Sequence, residues 1–412
     1  MKTICALSLL LFSLASKGQE QRTLDYFISH AKTSSPLLAD YRNQMQAGKI
    51  DSQLISASYK VQVNGISNDY YAPNAAGFGY DNVITNGGQI SAQVQATKSL
   101  VSKGNLSAQY RAVSLQNESL GNNSALAEKD LRKTITTQYI TVYGDLVTLN
   151  FNREILTLFE KEEKILKKMT QANIYRQTDY LTFYVSLQQQ QLSVRQSEIQ
   201  YRNDCATLNY LSGIVDTSSF IPASPSLQLA TLPDIYQSPL YRQYTLDSLK
   251  LLNDKKTIDY SYKPRVNVYA DAGYNSSLMY DFYKNFGAGL GLTLSVPIYD
   301  GKQRSMKNQK LSLAERTRQD YRGFFLNQYS QQIAQLMQQL NATESLIHDI
   351  EAQIKYAGTL VDVNQKLLET GEVRITDLIL AINNFLTARN LLNQNTISRL
   401  QIINQINYWQ TL

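Results

Sequence analysis

The sequence is poor in the side chains that most often carry catalysis or bind metals. Its 412 residues include two histidines, His30 and His348, which are far apart along the chain, and two cysteines, Cys5 and Cys205. Zinc sites and Ser-His-Asp or Cys-His nucleophilic sites are built from these residue types. A hydrolase with paired carboxylates has no motif in its favour either. We therefore expect a protein that is not an enzyme and that has no metal site and no cofactor.

Long apolar runs are missing beyond the first residues. A positive residue, Lys2, precedes the apolar run 4–14, and the small residues Ser16 and Gly18 follow it, which is typical of a signal peptide over residues 1–18. No later stretch approaches the length of a transmembrane helix. We expect an exported protein that is either soluble or inserted into a membrane as β-structure. Its mature chain would keep Cys205 alone, without an intramolecular disulfide or a lipidated N-terminal cysteine.

A basic face is missing as well. The chain has 40 Lys and Arg against 34 Asp and Glu, and the two signs are interleaved along the sequence. Nucleic-acid-binding proteins collect their bases on one face or stripe. We therefore predict a solvated surface and no nucleic-acid partner.

The same order of motifs occurs twice. "SPLLADY" at Ser35 and "SPLYRQY" at Ser238 are separated by 238 − 35 = 203 residues, and "RQTDYL" at Arg176 and "RITDLI" at Arg374 by 374 − 176 = 198. The sequence therefore predicts two structural repeats, over residues 19–214 and 234–412. The segment 215–233, which is rich in Pro and Ser, is predicted to be a linker.

Each repeat begins with a helix, over 24–59 and 240–260, and continues with two strands. In the second repeat, apolar residues alternate with Gly, Thr and Ser over 286–296. Period two indicates a strand with one apolar face, and this length fits a tilted membrane strand of about 9–11 residues. Four such strands cannot close a barrel, and open edges in lipid are not viable. Three chains together would supply twelve strands.

Two long helices follow in each repeat. Apolar residues from Tyr329 to Leu368 step by 4 and 3, which is the spacing of a coiled coil. The helices predicted over 104–173 and 301–371 would each be roughly 105 Å long at about 1.5 Å per residue. Each then breaks, at Asn173 and at Gly371, and restarts at a Thr-Asp pair that we interpret as a helix N-cap.

The stretch "SVPIYDGKQR" marks the passage from strand to helix. Pro297 lacks an N–H group and favours the end of a strand ladder, while Asp300 can cap a helix after the turn at Gly301. The first repeat has "KSLVSKGNL" at the same place, with Gly104 and without proline. We predict these residues to form the junction between sheet and helices.

The motifs "VPIYDGKQR" and "TGEVRITDLILAINNFLTARNLL" resemble those of the TolC family of outer-membrane efflux proteins. The resemblance covers both repeats. It implies a mostly α fold with membrane β-structure: a homotrimer whose twelve-strand barrel, four strands per chain, continues into a periplasmic α-helical coiled-coil barrel. It implies a passive exit duct in the cell outer membrane that extends into the periplasm and serves tripartite efflux or type I secretion. The implied partners are a periplasmic adaptor (membrane fusion) protein, an inner-membrane pump of the RND, ABC or MFS type, and outer-membrane lipid.

The resemblance also assigns roles to the two helix breaks. Asp179 and Asp377 would lie at the periplasmic mouth, where a ring of carboxylates can favour cations and gate the pore. The residues that would form the tips in contact with the adaptor are Asn173, Arg176, Thr178, Gly371, Arg374 and Thr376.

Other interpretations of the same residues stay open. Asp179 and Asp377 can be plain N-caps, and Arg176 and Arg374 can pair with these acids or be solvated. "KEEKILKK", Lys161–Lys168, is typical of a solvated helix face. A non-conducting periplasmic coiled-coil scaffold is the alternative function, but it would not need strands with an uninterrupted apolar face.

Overall fold

A computed structural model describes residues 22–73, 75–79, 88–229, 234–277 and 281–409. The predicted signal peptide over 1–18 lies outside the described residues, and so does part of the predicted linker. Seven α-helices and four β-strands follow one another within the described ranges. In chain order they are α1 Leu24–Ser34, α2 Pro36–Ser58, β1 Gln62–Tyr71, β2 Gly88–Leu100, α3 Lys103–Gln171, α4 Gln177–Leu211, α5 Pro239–Ser261, β3 Arg265–Ser276, β4 Phe286–Ser295, α6 Gln303–Thr370 and α7 Ile375–Tyr408.

The first helix is divided, and the prediction of one helix over 24–59 is wrong. α1 ends at Ser34, and Ser35 has the extended conformation, with φ −67° and ψ 114°. The ring of Pro36 clashes with a helical residue before it, so the preceding residue is displaced from the helix. Proline is tolerated in the first turn of a helix, where its missing N–H costs nothing, and α2 therefore begins at Pro36 itself.

The two longest helices contain 69 residues (α3) and 68 residues (α6). Every member of the apolar seam predicted on α6 is buried or half-buried, and Leu336, Leu340, Ile350, Val361 and Leu368 are among the buried ones. This confirms the 4-3 spacing as a packing face. Among the described helices, none combines the length and the apolar content that crossing a membrane requires.

The four strands form one antiparallel sheet in the order β1-β2-β3-β4. The hairpin β1-β2 comes from the first predicted repeat and β3-β4 from the second, and β2 pairs with β3 over residues 90–100 and 266–276. Within the described residues, β1 and β4 each pair with one strand only. The sheet therefore has two edges whose backbone N–H and C=O groups lack a partner strand.

The chain divides into two compact units, and each of them combines segments of both predicted repeats. The sheet unit contains the described parts of Leu37–Leu126 and Ile235–Gln328. The helical unit contains the described parts of Met1–Pro36, Ala127–Asp234 and Tyr329–Leu412. The two compact units therefore do not coincide with the two repeats predicted from the sequence. The division into repeats stays a prediction.

One core of the helical unit lies where α1 packs against α3 and α4. Phe27 and Cys205 have no exposed surface in this core, and the ring of Phe220 packs on that of Phe27 with 4.9 Å between centroids. The hydroxyl of Tyr139 lies 2.9 Å from the carbonyl oxygen of Arg22 and 2.7 Å from that of Ala223. Residues of the predicted linker are therefore packed onto the helices at this point.

A pair of carboxyl groups lies beside this core. The side chain of Asp145 on α3 is within hydrogen-bonding reach of Asp204 on α4, and the Oδ2 atom of Asp145 is buried without a hydrogen-bond partner. Gln138 and Gln200 donate to the two oxygens of Asp204, at 3.0 and 2.6 Å. Burial, and then the neighbouring Asp204, raises the pKa of Asp145 to about 7 from the ordinary 3.8. Two carboxyl groups this close favour sharing one proton.

This pair should give the helical unit a pH-dependent stability. Because the pKa of Asp145 is higher in the folded state, folding takes up a proton, and this contribution is fully present below about pH 4 and is lost as pH rises through about 7. We expect Asp145→Asn, whose amide can donate to Asp204, to unfold at a temperature that changes less between pH 5 and 8. Thermal unfolding of the detergent-solubilised protein across that range measures the effect. Glu154→Gln, an exposed acid on the same helix, is the control, and equal pH slopes in Asp145→Asn and wild type would contradict the assignment.

Candidate functional site

The sheet has two chemically different faces. In the observed register, Leu290, Leu292 and Leu294 lie on the same face as Val266, Val268 and Ala270, and we call this the leucine face. Leu290 is 88% exposed in the single chain. The opposite face, here called the polar face, contains mainly Gln, Asn, Ser, Thr and Gly. Exposed apolar surface of this extent marks contact with a lipid or a protein.

Charged residues on the leucine face lie near its two ends. Lys98 is opposite Val268, close to the strand ends that lead into helices, and Asp69 is opposite Ile90, near the other end. The central part of the leucine face contains no charged residue. A lysine at the edge of an apolar band can extend its amine to water while its stem stays on apolar surface.

At the junction of the second repeat, Asp300 holds the start of α6. Its Oδ1 accepts from the backbone N–H of Lys302 at 2.9 Å and its Oδ2 from that of Arg304 at 2.7 Å. These hydrogen bonds lower the pKa of the Asp300 carboxyl. Gly301 has φ +63° and Pro297 lies two residues beyond β4, so the strand ladder has ended before the turn begins.

At the junction of the first repeat, Gly104 lies against an aromatic ring. A Cβ atom on Gly104 would be 2.6 Å from Cζ of Tyr260, at the end of α5. Only glycine leaves room for this ring. The two junctions thus use different residues: a capping aspartate in the second repeat and a close approach to Tyr260 in the first.

The two predicted tips are left-handed helix ends. Asn173 has φ +58° and Gly371 has φ +79°. In each tip, the residue after the left-handed position donates its backbone N–H to a carbonyl of the last helical turn. Ile174 donates to the carbonyl of Met169 at 3.0 Å, and Glu372 donates to the carbonyl of Leu367 at 2.9 Å. This is the Schellman arrangement, in which Gly and Asn are the residues that tolerate the left-handed position.

The interpretation of the Thr-Asp pairs as N-caps is wrong. The N-cap residues are Arg176, with φ −79° and ψ 153°, and Arg374, with φ −77° and ψ 134°. Asp179 and Asp377 lie three residues later, within the first turn. The Oδ2 atom of Asp179 accepts from the backbone N–H of Arg176 at 3.1 Å. A carboxylate at this position satisfies the N-cap N–H and complements the positive end of the helix dipole, which an arginine side chain cannot do.

The two tips contact each other. The hydroxyl of Tyr175 donates to the backbone carbonyl of Val373 at 2.9 Å, and these two residues are 373 − 175 = 198 positions apart. They are therefore counterparts in the two repeats. A Cβ atom on Gly371 would lie 2.7 Å from Cγ2 of Ile174, so the second tip packs closely onto the first.

Above the tips, α3, α4, α6 and α7 enclose an apolar cluster. Phe183, Leu378 and Ile382 have no exposed surface in it, and Phe159 packs on Phe183 at 5.3 Å between ring centroids. This packing holds the backbone of both tips in place.

A buried acid lies on the same helix as part of this cluster, and the prediction that "KEEKILKK" is a solvated face is wrong at two positions. Glu162 is 1% exposed and Leu166 is fully buried, because their spacing places both on the side of α3 that faces the cluster. Gln365 on α6 donates to Oε1 of Glu162 at 3.1 Å, whereas Oε2 is buried without a partner. Burial raises the pKa of Glu162.

The tip residues to which the family resemblance assigned roles lie at the surface. Arg176, Arg374, Thr178, Thr376 and Asp377 are exposed, and the half-buried Asp179 is bound to its own N-cap. Neither arginine makes an ion pair with a described residue. The first tip therefore presents Asp179 and Arg176 on a rigid turn. The second tip presents Asp377, Glu372 and Arg374, and both surfaces are suited to a protein partner or to a ring of charges.

Sequence reasoning missed the residues whose role depends on a neighbour from the other repeat. Tyr175 and Glu162 are in this group. It also missed the pair Asp145–Asp204, two acids that α3 and α4 of the first repeat bring together. The 3-4 spacing of Phe159, Glu162 and Leu166 is the one signal that could have shown that Glu162 faces inward.

The elements to be compared with known proteins are a four-stranded antiparallel sheet with an apolar face and long helical hairpins with packed tips. No model of a known protein family matches the chain, and no curated protein matches it by sequence. Solved structures do match.

The chain is similar to CusC, a protein studied for transmembrane channel formation, with a TM-score of 0.78 and 12% identity over 95% of this chain and 93% of that one. It is similar to the outer membrane protein VceC of Vibrio cholerae, with a TM-score of 0.73 and 12% identity over 94% and 95%. It is also similar to the CmeC outer membrane channel of Campylobacter jejuni, with a TM-score of 0.71 and 13% identity over 94% and 85%. The chain therefore has this fold over nearly its whole length, which confirms the predicted mostly α fold with four strands per chain and long helical hairpins.

The contact between the tips can be tested with a double-mutant cycle. We expect Gly371→Ala to destabilise the protein by about 1–2 kcal/mol through its left-handed backbone alone, and further through the contact of the new Cβ with Ile174. The steric part should vanish in an Ile174→Ala background, which leaves only the backbone part. Thermal unfolding of the four proteins measures the coupling. Asn173→Gly is the control and should be neutral, while additive effects of the two mutations would contradict the close approach.

Proposed function

We propose that this chain is one protomer of an outer-membrane exit duct. The observation that carries the proposal is the leucine face on a sheet with two open edges. Such a sheet cannot stand in lipid alone, since unpaired backbone groups there cost several kcal/mol each, of the order given for buried polar groups. Three copies would pair edge to edge into a barrel of twelve strands, with the leucine faces towards lipid and the polar faces towards water.

The comparisons support the same conclusion from another direction. The solved structures that match include outer-membrane channels by their own descriptions, and they align with the strands and the helices alike. The alternative, a periplasmic scaffold without a membrane part, offers no reason for Leu290, Leu292 and Leu294 to be exposed together. We therefore favour the duct.

The finer role follows from the tips. We propose that the duct receives its substrates in the periplasm, through an adaptor protein that contacts the tip residues from Asn173 to Thr178 and from Gly371 to Thr376. An inner-membrane pump would supply the energy, because a duct of this kind is a passive passage. Efflux and secretion of the type I kind both fit such a passive duct.

The duct proposal makes the leucine face the lipid-facing side. An arginine in the middle of such a face costs about 2–4 kcal/mol in membrane barrels, whereas one on the water-facing side costs little. We expect Leu290→Arg to reduce strongly the amount of trimer recovered from the outer-membrane fraction. Thr293→Arg, an exposed residue three positions along the same strand but on the polar face, is the matched control.

The measurements are membrane fractionation and the mass of the detergent-solubilised complex. A trimer in the membrane fraction for wild type and for Thr293→Arg, and its loss for Leu290→Arg, is the expected result. A wild-type protein that is recovered as a soluble monomer or dimer would overturn the duct.

The carboxylates at the tips can be tested as a gate. Replacing Asp179 and Asp377 together by Asn removes the charge but keeps an acceptor for the N–H of Arg176. We expect channels in planar bilayers to lose cation preference, because a ring of three or six carboxylates at a narrow mouth attracts cations. Glu372→Gln, an exposed acid of the same tip, is the control. Unchanged conductance together with unchanged selectivity would exclude the gate.

A further inference from the structure

The polar face of the sheet is almost uncharged. β1 and β2 contribute neutral side chains to it, and β4 contributes Gly, Thr and Ser. The charged residues on this face among the described strands are Arg265, at the first position of β3, and Asp271, near the middle of the same strand. The two are six residues apart, which is about 20 Å along a strand. Arg265 is therefore too distant to neutralise Asp271.

The side chain of Asp271 extends over the neighbouring strand, because the residue opposite it on that strand is a glycine. Its partner across the ladder is Gly289, and a Cβ atom on Gly289 would lie 3.0 Å from Oδ1 of Asp271. The next pair has the same form, since the ring of Tyr269 occupies the space where Gly291 would carry a Cβ atom, 2.2 Å from Cζ. Glycine at 289 and 291 thus leaves room for two side chains that lie flat on the polar face.

No Lys, Arg or His among the described residues forms an ion pair with Asp271. Asp271 is half-buried on the polar face, with Oδ1 beside Gly289. The strand pairs on either side of it contain no Lys, Arg or His on this face. An isolated carboxylate on an otherwise neutral, water-facing wall dominates the local potential.

We propose that Asp271 determines the charge selectivity of the duct at the level of the sheet. This inference rests on the proposed function, because three copies are needed to place three Asp271 carboxylates on one ring inside a barrel. Such a ring favours cations and cationic or zwitterionic solutes over anions. It lies on the sheet and is separate from the acids of the tips.

The selectivity should depend on salt in a defined way. Charges in a water-filled pore are screened over about 8 Å at 0.15 M salt and about 3 Å at 1 M. The preference for cations should therefore be clear at 0.1 M KCl and weak at 1 M KCl. A steric constriction would give no such dependence.

The test is the reversal potential of single channels in planar bilayers under a KCl gradient. The full-length protein carries Asp179→Asn and Asp377→Asn in every sample, so that the tip acids cannot mask the sheet. Adding Asp271→Asn should move the cation-to-anion permeability ratio towards one, and Asp271→Glu should retain it. Asp69→Asn, an acid of the same sheet on the leucine face, is the matched control and should leave the ratio unchanged.

A second measurement does not depend on how a charge change affects assembly. Asp271→Cys channels are recorded before and after a negatively or a positively charged methanethiosulfonate, which forms a mixed disulfide with the thiolate and releases a sulfinate. Cys205 is fully buried, and channels with Asp271 intact show whether it reacts. The negative reagent should restore cation preference and the positive one should reverse it.

The outcomes separate this inference from the proposed function. Channels that form but keep the same selectivity in Asp271→Asn and after both reagents would overturn the inference and leave the duct standing. A parent protein that forms no channels, as a trimer or otherwise, would overturn both.

Discussion

The open edges of the sheet are the constraint on which the rest of the structure depends. The described residues of a single chain form four antiparallel strands, with exposed leucines on one face, and among these residues β1 and β4 have no partner strand on their outer sides. In water such a face would aggregate, and in lipid such edges would leave backbone groups unbonded. The proposed pairing between copies would solve both problems in one step. According to this proposal, the sheet is stable in a membrane only when several copies of the chain have assembled.

The two predicted repeats contact each other at several places. In the sheet, β2 of the first repeat pairs with β3 of the second, and at the tips Tyr175 donates to Val373, its own counterpart. Gln365 reaches from α6 to the buried Glu162 on α3 in the same way. At each of these three places a polar group of one predicted repeat is satisfied by the other, as buried polar groups generally require.

Periodicity predicted most of the fold, because it reports burial directly. The 4-3 stepping on α6 and the alternation in β4 each correspond to a face that the structure packs or exposes as a unit. Local chemistry was less reliable. Thr-Asp suggested an N-cap, yet the cap is Arg176, because backbone geometry and the carboxylate at the third position can replace a capping side chain. Glu162 and Asp145 could not be found from composition, since charged residues are seldom buried and their burial depends on which helix lies opposite.

The glycines of β4 show that a sequence pattern can predict a strand without explaining why particular residues occur in it. "FGAGLGL" is a strand with small residues on one side, and periodicity alone explains why those residues are not apolar. It does not explain why they have no side chain at all. The register gives the reason, since Gly289 and Gly291 lie opposite Asp271 and Tyr269, whose side chains need that space. In the proposed barrel, glycines on this wall would keep a water-filled passage wide, and the Asp271 carboxylate beside Gly289 would add charge without narrowing the passage. For a duct that must pass varied solutes, charge placed in this way can bias passage while size selects little.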